Sequence, residues 1–186
     1  WLLADEWPAD VRAGLALAAA PRAERELGAG AAMCSMPLAE LFGPYALMCA
    51  VADARRGDLT QTTISDGVGA VISVVDCAPA ASVLSAATSG GAQLRSLVLA
   101  VRSECTQWLA AAVPRELNQD ADTLSHPSRW LEVKALAESA GLAVRRVHTP
   151  SRCWAALRAA MSLPMGREAA AWRESGEISG SSARPR

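Results

Sequence analysis

The sequence is poor in aromatics. Only 4% of its 186 residues are aromatic: one Phe, one Tyr and six Trp. A core must therefore be assembled from Ala, Leu and Val, which calls for close helix packing. Lysine is nearly absent, Lys134 being the single one beside 17 Arg. That bias reads first as GC-rich coding and only second as a phosphate-binding surface. Neither sign of charge is in excess: 18 basic and 19 acidic residues give a net charge of −1. This excludes a strongly basic nucleic-acid coat and an acidic solvating tail. Long apolar runs are missing too. The stretch 11–20 contains Arg12 and stops at Pro21-Arg22, short of the roughly 18–20 residues a membrane helix needs, so no membrane partner is expected.

Metal-binding cysteine patterns are also lacking. Cys34, Cys49, Cys77, Cys105 and Cys153 are odd in number and far apart, with no CxxC pair and no Cys/His ligand spacing. Reduced, mostly buried thiols in an intracellular protein (cytoplasmic or nuclear) are the expectation. His126 and His148 stand alone. What is present suffices for one domain with an appendage, long enough to bury a core without disulfide staples. The first residue is Trp1 rather than Met, so the chain reads as a piece of a longer polyprotein or multidomain product.

Along the chain, Leu2-Leu3-Ala4 opens a short strand ending in Asp5, and Pro8 and Asp10 mark a turn. Residues 12–18 read as a second strand and 27–34 as a third, which makes an antiparallel meander. From Pro37 the period changes: Leu38, Leu41, Phe42, Tyr45, Met48, Cys49 and Ala52 fall at helical spacing, with Ser35 as a candidate N-cap. Pro44 should kink that helix or delay its regular part. Arg55-Arg56-Gly57-Asp58 should end it. Residues 59–65 are Thr-rich and β-prone, and 68–75 read as a helix despite their β-branched content. Residues 78–91 form a connector without Lys, Arg or aromatic residues. A helix over 93–105, a strand over 108–113, a helix over 130–140 stopped by Gly141, a strand over 142–147 and a helix over 151–162 follow. The Ser/Gly/Arg/Pro tail from Arg173 is expected to be disordered. The order β-β-β-α-β-α-α-β-α, with more behind it, implies an α/β fold.

Acidic residues sit at particular junctions of that order. Leu2-Leu3-Ala4-Asp5 ends the first strand, and Pro37-Leu38-Ala39-Glu40-Leu41 places a Glu in the first long helix. Thr62-Thr63-Ile64-Ser65-Asp66-Gly67 carries an Asp at a strand end, and Asn118-Gln119-Asp120-Ala121-Asp122-Thr123-Leu124-Ser125 carries two more. In these segments residues 1–126 resemble the ribonuclease H superfamily in the form carried by DIRS- or VIPER-like retrotransposons. The resemblance implies a mixed five-stranded sheet, an antiparallel meander plus parallel strands, flanked by helices. It also implies division into a domain at 1–126, a helical/βα extension at 127–172 and the tail at 173–186.

The implied activity is endonucleolytic cleavage of the RNA strand of an RNA–DNA hybrid during reverse transcription, beside an upstream polymerase domain of the same polyprotein. Phosphodiester hydrolysis of this kind uses two Mg²⁺ ions about 4 Å apart, with Mn²⁺ as a substitute. Hard cations want carboxylate oxygens, and the resemblance assigns them to Asp5, Glu40, Asp66 and Asp122. Asp10 rivals Asp5, and Asp120 rivals Asp122. Arg12, Arg115 and Arg129 are candidate phosphate contacts. Gly43-Pro44 directly after Glu40, and the absence of a His in the loop Pro114-Arg115-Glu116-Leu117, depart from the family pattern. A catalytically inactive structural or nucleic-acid-binding module beside a polymerase is the rival expectation.

Overall fold

The structure is a computed structural model. It describes residues 2–3, 5–28, 30–58, 70–75, 81, 91–105, 107–117, 119 and 129–164. In chain order the elements are β1 (Leu2–Leu3), α1 (Ala9–Ala19), α2 (Arg22–Leu27), α3 (Met36–Asp58), β2 (Ala70–Val75), α4 (Ala92–Glu104), β3 (Gln107–Ala112), a 3₁₀ turn (Arg115–Leu117), α5 (Trp130–Ser139), β4 (Arg146–Val147) and α6 (Ser151–Met161).

The fold is mostly helical, which overturns the expected five-stranded mixed sheet. Among the described residues the strands form two separate parallel ribbons, β1 with β4 and β2 with β3. The meander is absent because its second and third strands do not form. Residues 12–18 lie inside α1, where Val11, Gly14 and Ala18 are buried at spacings of three and four. Their Ala/Leu content lacks the β-branched residues that favour a pleated surface, and Ala is the strongest helix former. Leu27 ends α2, and 30–35 run on without regular structure. That segment is held from outside: the Cys34 amide donates to the Gly14 carbonyl at 3.0 Å and the Met33 amide to the Met161 carbonyl at 3.3 Å. The opposite error occurs at 68–75, where the expected helix is strand β2. Four β-branched residues in six, Val71, Ile72, Val74 and Val75, lose rotamer freedom in a helix and suit a strand.

Helices α1, α3, α4 and α6 surround the core. Leu38, Leu41, Leu97 and Leu157 are its largest fully buried side chains, with Val11, Val101 and four cysteines filling the gaps. Each buried Leu contributes about 1.5–3 kcal/mol of apolar transfer free energy. Aromatic scarcity is offset by clustering: Phe42 lies 4.7 Å from Trp154 and 5.6 Å from Trp7, centroid to centroid, and Tyr45 lies 6.4 Å from Phe42.

This cluster explains why α3 runs through Pro44 without ending. An interior proline costs about 3 kcal/mol. Burial of Phe42 and Tyr45 on either side of it recovers more, at about 1.5–3 kcal/mol each plus about 0.5–1.5 kcal/mol per aromatic pair. α3 also continues past the expected stop at Arg55 to Asp58.

Close packing is literal at Gly14. A Cβ there would lie 2.5 Å from the Met161 methyl and 3.0 Å from the Ala32 carbonyl oxygen. α1 can therefore approach α6 and the 32–34 segment only because position 14 carries no side chain. Elements from both sides of residue 126 share this core: β4 pairs with β1, and α6 packs on α3 and α4.

The expected helix over 93–105, strand over 108–113, helix over 130–140 and helix over 151–162 appear as α4, β3, α5 and α6, each within a residue or two. Gly141 stops α5 as expected. Its φ is +74°, and the amides of Gly141 and Leu142 donate to the carbonyls of Glu138 (3.0 Å) and Ala137 (2.9 Å). That is the Schellman arrangement, which glycine adopts without a Cβ penalty. The expected strand at 59–65, most of the connector at 78–91 and the tail from 173 lie outside the described residues.

Candidate functional site

β1 and β4 run parallel in the register Leu2 opposite Arg146 and Leu3 opposite Val147. Parallel strands bring their carboxyl ends to the same side. The residues that follow each strand therefore meet: Asp5 after β1, His148 and Thr149 after β4. Asp5 Oδ1 lies 2.7 Å from His148 Nδ1, and the Thr149 amide donates to Asp5 Oδ2. Because the carboxylate only accepts, Nδ1 is the donor. The Asp5 side chain is 19% exposed and that of His148 is 71% exposed. Burial raises the Asp5 pKa, but the Thr149 amide and the His148 ring outweigh it and hold the carboxyl below its ordinary value.

Asp10, the rival first acid, sits at the start of α1 and is gripped by Arg158 of α6, at 2.6 Å from Nε and 3.1 Å from Nη2. Its pKa is lowered, first by that hydrogen bond and also by the charge of Arg158. Glu40 is half-buried near the start of α3, a helix that packs against both β1 and β4. The helix that carries Glu40 thus packs on the strand that Asp5 follows. Asp66, Asp122, its rival Asp120 and Asn118 lie outside the described residues. Among the described residues, no group of three His, Cys, Asp or Glu could hold a metal ion. Both Asp5 oxygens are already engaged by protein donors. The described part of the proposed ligand set therefore does not form a cation cage by itself.

The phosphate-contact candidates divide in the same way. Arg12 is exposed on α1, Arg115 lies in the 3₁₀ turn, and Arg129 is paired with Glu132 at 3.1 Å.

Sequence reading missed His148, which it treated as isolated. The available signal was a polar residue directly after each of two expected strands, but only the pairing of those strands makes them neighbours. It also missed Arg152 at the start of α6. Its guanidinium bonds both oxygens of Asp53 on α3 (2.6 and 2.9 Å) and Glu104 at the end of α4 (2.9 Å), tying three core helices together. Arg152 is held firmly protonated, chiefly by the Asp53 hydrogen bonds, against some desolvation. No helix among the described residues is long and apolar enough to cross a membrane. Comparison with family models, curated proteins and solved structures gives no match to this chain.

Proposed function

We propose that this chain cleaves the RNA strand of RNA–DNA hybrids as a domain of a retroelement polyprotein, beside an upstream polymerase. Asp5, Glu40, Asp66 and Asp122 are its acids, and Mg²⁺ is its cation. The observation that carries the reading is the ending motif, Asn118 to Ser125, which follows a strand, β3, and its 3₁₀ turn. The reading rests on this order of acids along the chain and not on a five-stranded sheet. Carboxylates from separate elements supply the oxygen donors that a hard cation takes, and such a cation stabilises the charge that develops on phosphate oxygens. Choice of strand would rest on 2′-hydroxyl contacts rather than base reading.

The test is cleavage of a labelled hybrid with and without Mg²⁺. Asp66→Asn and Asp122→Asn should each abolish Mg²⁺-dependent cleavage while leaving the circular dichroism spectrum unchanged, and Asp120→Asn should leave most of it. Equal losses at positions 120 and 122 would reject the motif assignment.

One observation favours the rival reading, a catalytically inactive structural or nucleic-acid-binding module. The carboxylate of Asp5 is occupied by His148 and Thr149 rather than presented to a cation. A chain that binds hybrid but cleaves none in Mg²⁺ or Mn²⁺, with or without a fused polymerase domain, would establish that rival.

A further inference from the structure

Charge is unevenly spread along the C-terminal part of the fold. Residues 139–164 hold four arginines, Arg145, Arg146, Arg152 and Arg158, and no Asp or Glu. Two of the four tie helices together: Arg152 bonds Asp53 and Glu104, and Arg158 grips Asp10. The other two, Arg145 and Arg146, are adjacent and exposed, and Arg146 opens β4.

Exposure alternates from there. Arg146 and His148 are exposed, and Val147 between them is buried. Alternate residues of a strand share a face, so Arg146 and His148 stand on the outer face of the short ribbon. The Gly141 stop brings the chain back past the start of α5, where the Arg146 guanidinium carbon lies 5.8 Å from the centre of the half-buried Trp130 ring. At that distance the ring face attracts the cation and restricts where it can go. His148, two residues further on, is the residue bonded to Asp5.

We propose that Arg145 and Arg146 hold the sugar–phosphate backbone of the RNA–DNA hybrid where it passes Asp5, an inference that rests on the reading of the chain as a hybrid-binding domain. A guanidinium presents a planar fork of donors that matches two phosphate oxygens. Such contacts fix a duplex in register without reading its sequence, which suits a substrate recognised by its sugar and its shape. Because Trp130 already restrains Arg146, less side-chain freedom is lost on binding. The absence of carboxylates from 139–164 keeps like-charge repulsion of phosphate by this segment at zero. Of the three arginines that the sequence suggested for this role, Arg129 is paired with Glu132, whereas Arg146 lies on the strand that pairs with β1, just before Asp5. Two such contacts give weak binding that fades as salt rises, since few counterions are released.

The test measures fluorescence anisotropy of a labelled RNA–DNA hybrid with the full 186-residue chain, without divalent cations, across a salt series. Binding is then read apart from cleavage. The double variant Arg145→Gln/Arg146→Gln should weaken binding about tenfold or more at low salt and lower the slope of log affinity against log salt by about 2. Arg146→Lys keeps the charge and should keep the slope. Arg22→Gln, which removes an exposed cation paired with Glu26 on α2, should change neither. Circular dichroism should be the same for all three, because the substituted side chains are exposed. An unchanged slope in the double variant, an equal loss in Arg22→Gln, or displacement of the hybrid by polyglutamate as readily as by unlabelled nucleic acid would overturn the proposal; the last would mark a surface for acidic polypeptides. Binding that is lost in the double variant, in a wild type that Mg²⁺ does not make cleave, would support this inference and reject the nuclease reading. Absence of hybrid binding by the wild type at low salt would reject both.

Discussion

The two parallel ribbons of this protein are built on opposite principles. β2 and β3 pair along six residues each, from Ala70 opposite Gln107 to Val75 opposite Ala112. β1 and β4 pair over two residues each and join segments 144 positions apart. Closing a loop of that length costs on the order of 4 kcal/mol by its length dependence alone, and ladder hydrogen bonds return only about 0.5–1.5 kcal/mol each. The short ribbon therefore depends on what surrounds it. Val147 is buried, Leu3 packs on the core, Asp5 ties the two strand ends, and the Asp10–Arg158 pair joins α1 to α6 close by. At the described end of β3, Leu109 is 64% exposed and Ala110 packs on the core. Ladder length is thus not what holds the two-residue ribbon; its buried flank and the ties around it do.

The sharpest way to break this comparison is to hollow the core that the short ribbon shares. Leu157→Ala on α6 should cost about 2–5 kcal/mol in urea unfolding, because a fully buried Leu leaves a cavity. A loss below about 1 kcal/mol would mean that the ribbon is not core-supported.

The pin comes next. Asp5→Ala removes two hydrogen bonds to a charged carboxylate, and such bonds are worth about 1.5–3 kcal/mol. The Asp5 pKa is lowered from its ordinary 3.8 on folding. Its contribution is therefore present above that value and fades as pH falls through the lower folded value. The stability difference between wild type and Asp5→Ala should narrow as pH falls below about 4. A gap that persists unchanged at pH 2 would show that charge is irrelevant to the pin.

A smaller effect is expected at the turn that leads into β4. Gly141→Ala forces a Cβ into φ +74° and should cost about 1 kcal/mol, visible as a small drop in the thermal midpoint. Smallest of all is Leu109→Ala on the long ribbon. It should change stability by no more than about 0.5 kcal/mol, the usual range for an exposed position. A cost near that of Leu157→Ala would erase the distinction between the two ribbons.

Legibility followed the range of the interactions concerned. α4, α5 and α6 were readable because apolar spacing and the Gly141 stop are local signals. The strand at 108–113 was readable from its apolar run and the Pro114 that ends it. Residues 12–18 misled because apolar runs of small residues fit a strand as well as a helix by pattern, and helical propensity decided. Residues 68–75 misled in reverse, where β-branching outweighed the helical reading. At the site, Asp5 was recognisable as a polar residue ending a strand. Its partner was not, since His148 reaches it across 143 positions. Glu40 was placed correctly on the first long helix. Asp66 and Asp122 lie outside the described residues.

The amino-acid sequence by itself determined the long helices, their stops and the composition of a core packed from Leu, Val, Ala and Cys. These follow from backbone stereochemistry and from side-chain spacing within a few turns. Only the tertiary structure decided which strands pair, that Asp5 is tied to His148 and Thr149, that Asp10 belongs to Arg158, and that Arg152 bridges Asp53 and Glu104. These contacts join residues tens to nearly 150 positions apart, 37 for the β2–β3 pairs and 148 for Asp10 with Arg158. At such separations no local propensity acts, and the packing of the whole core selects one partner from many chemically equivalent ones.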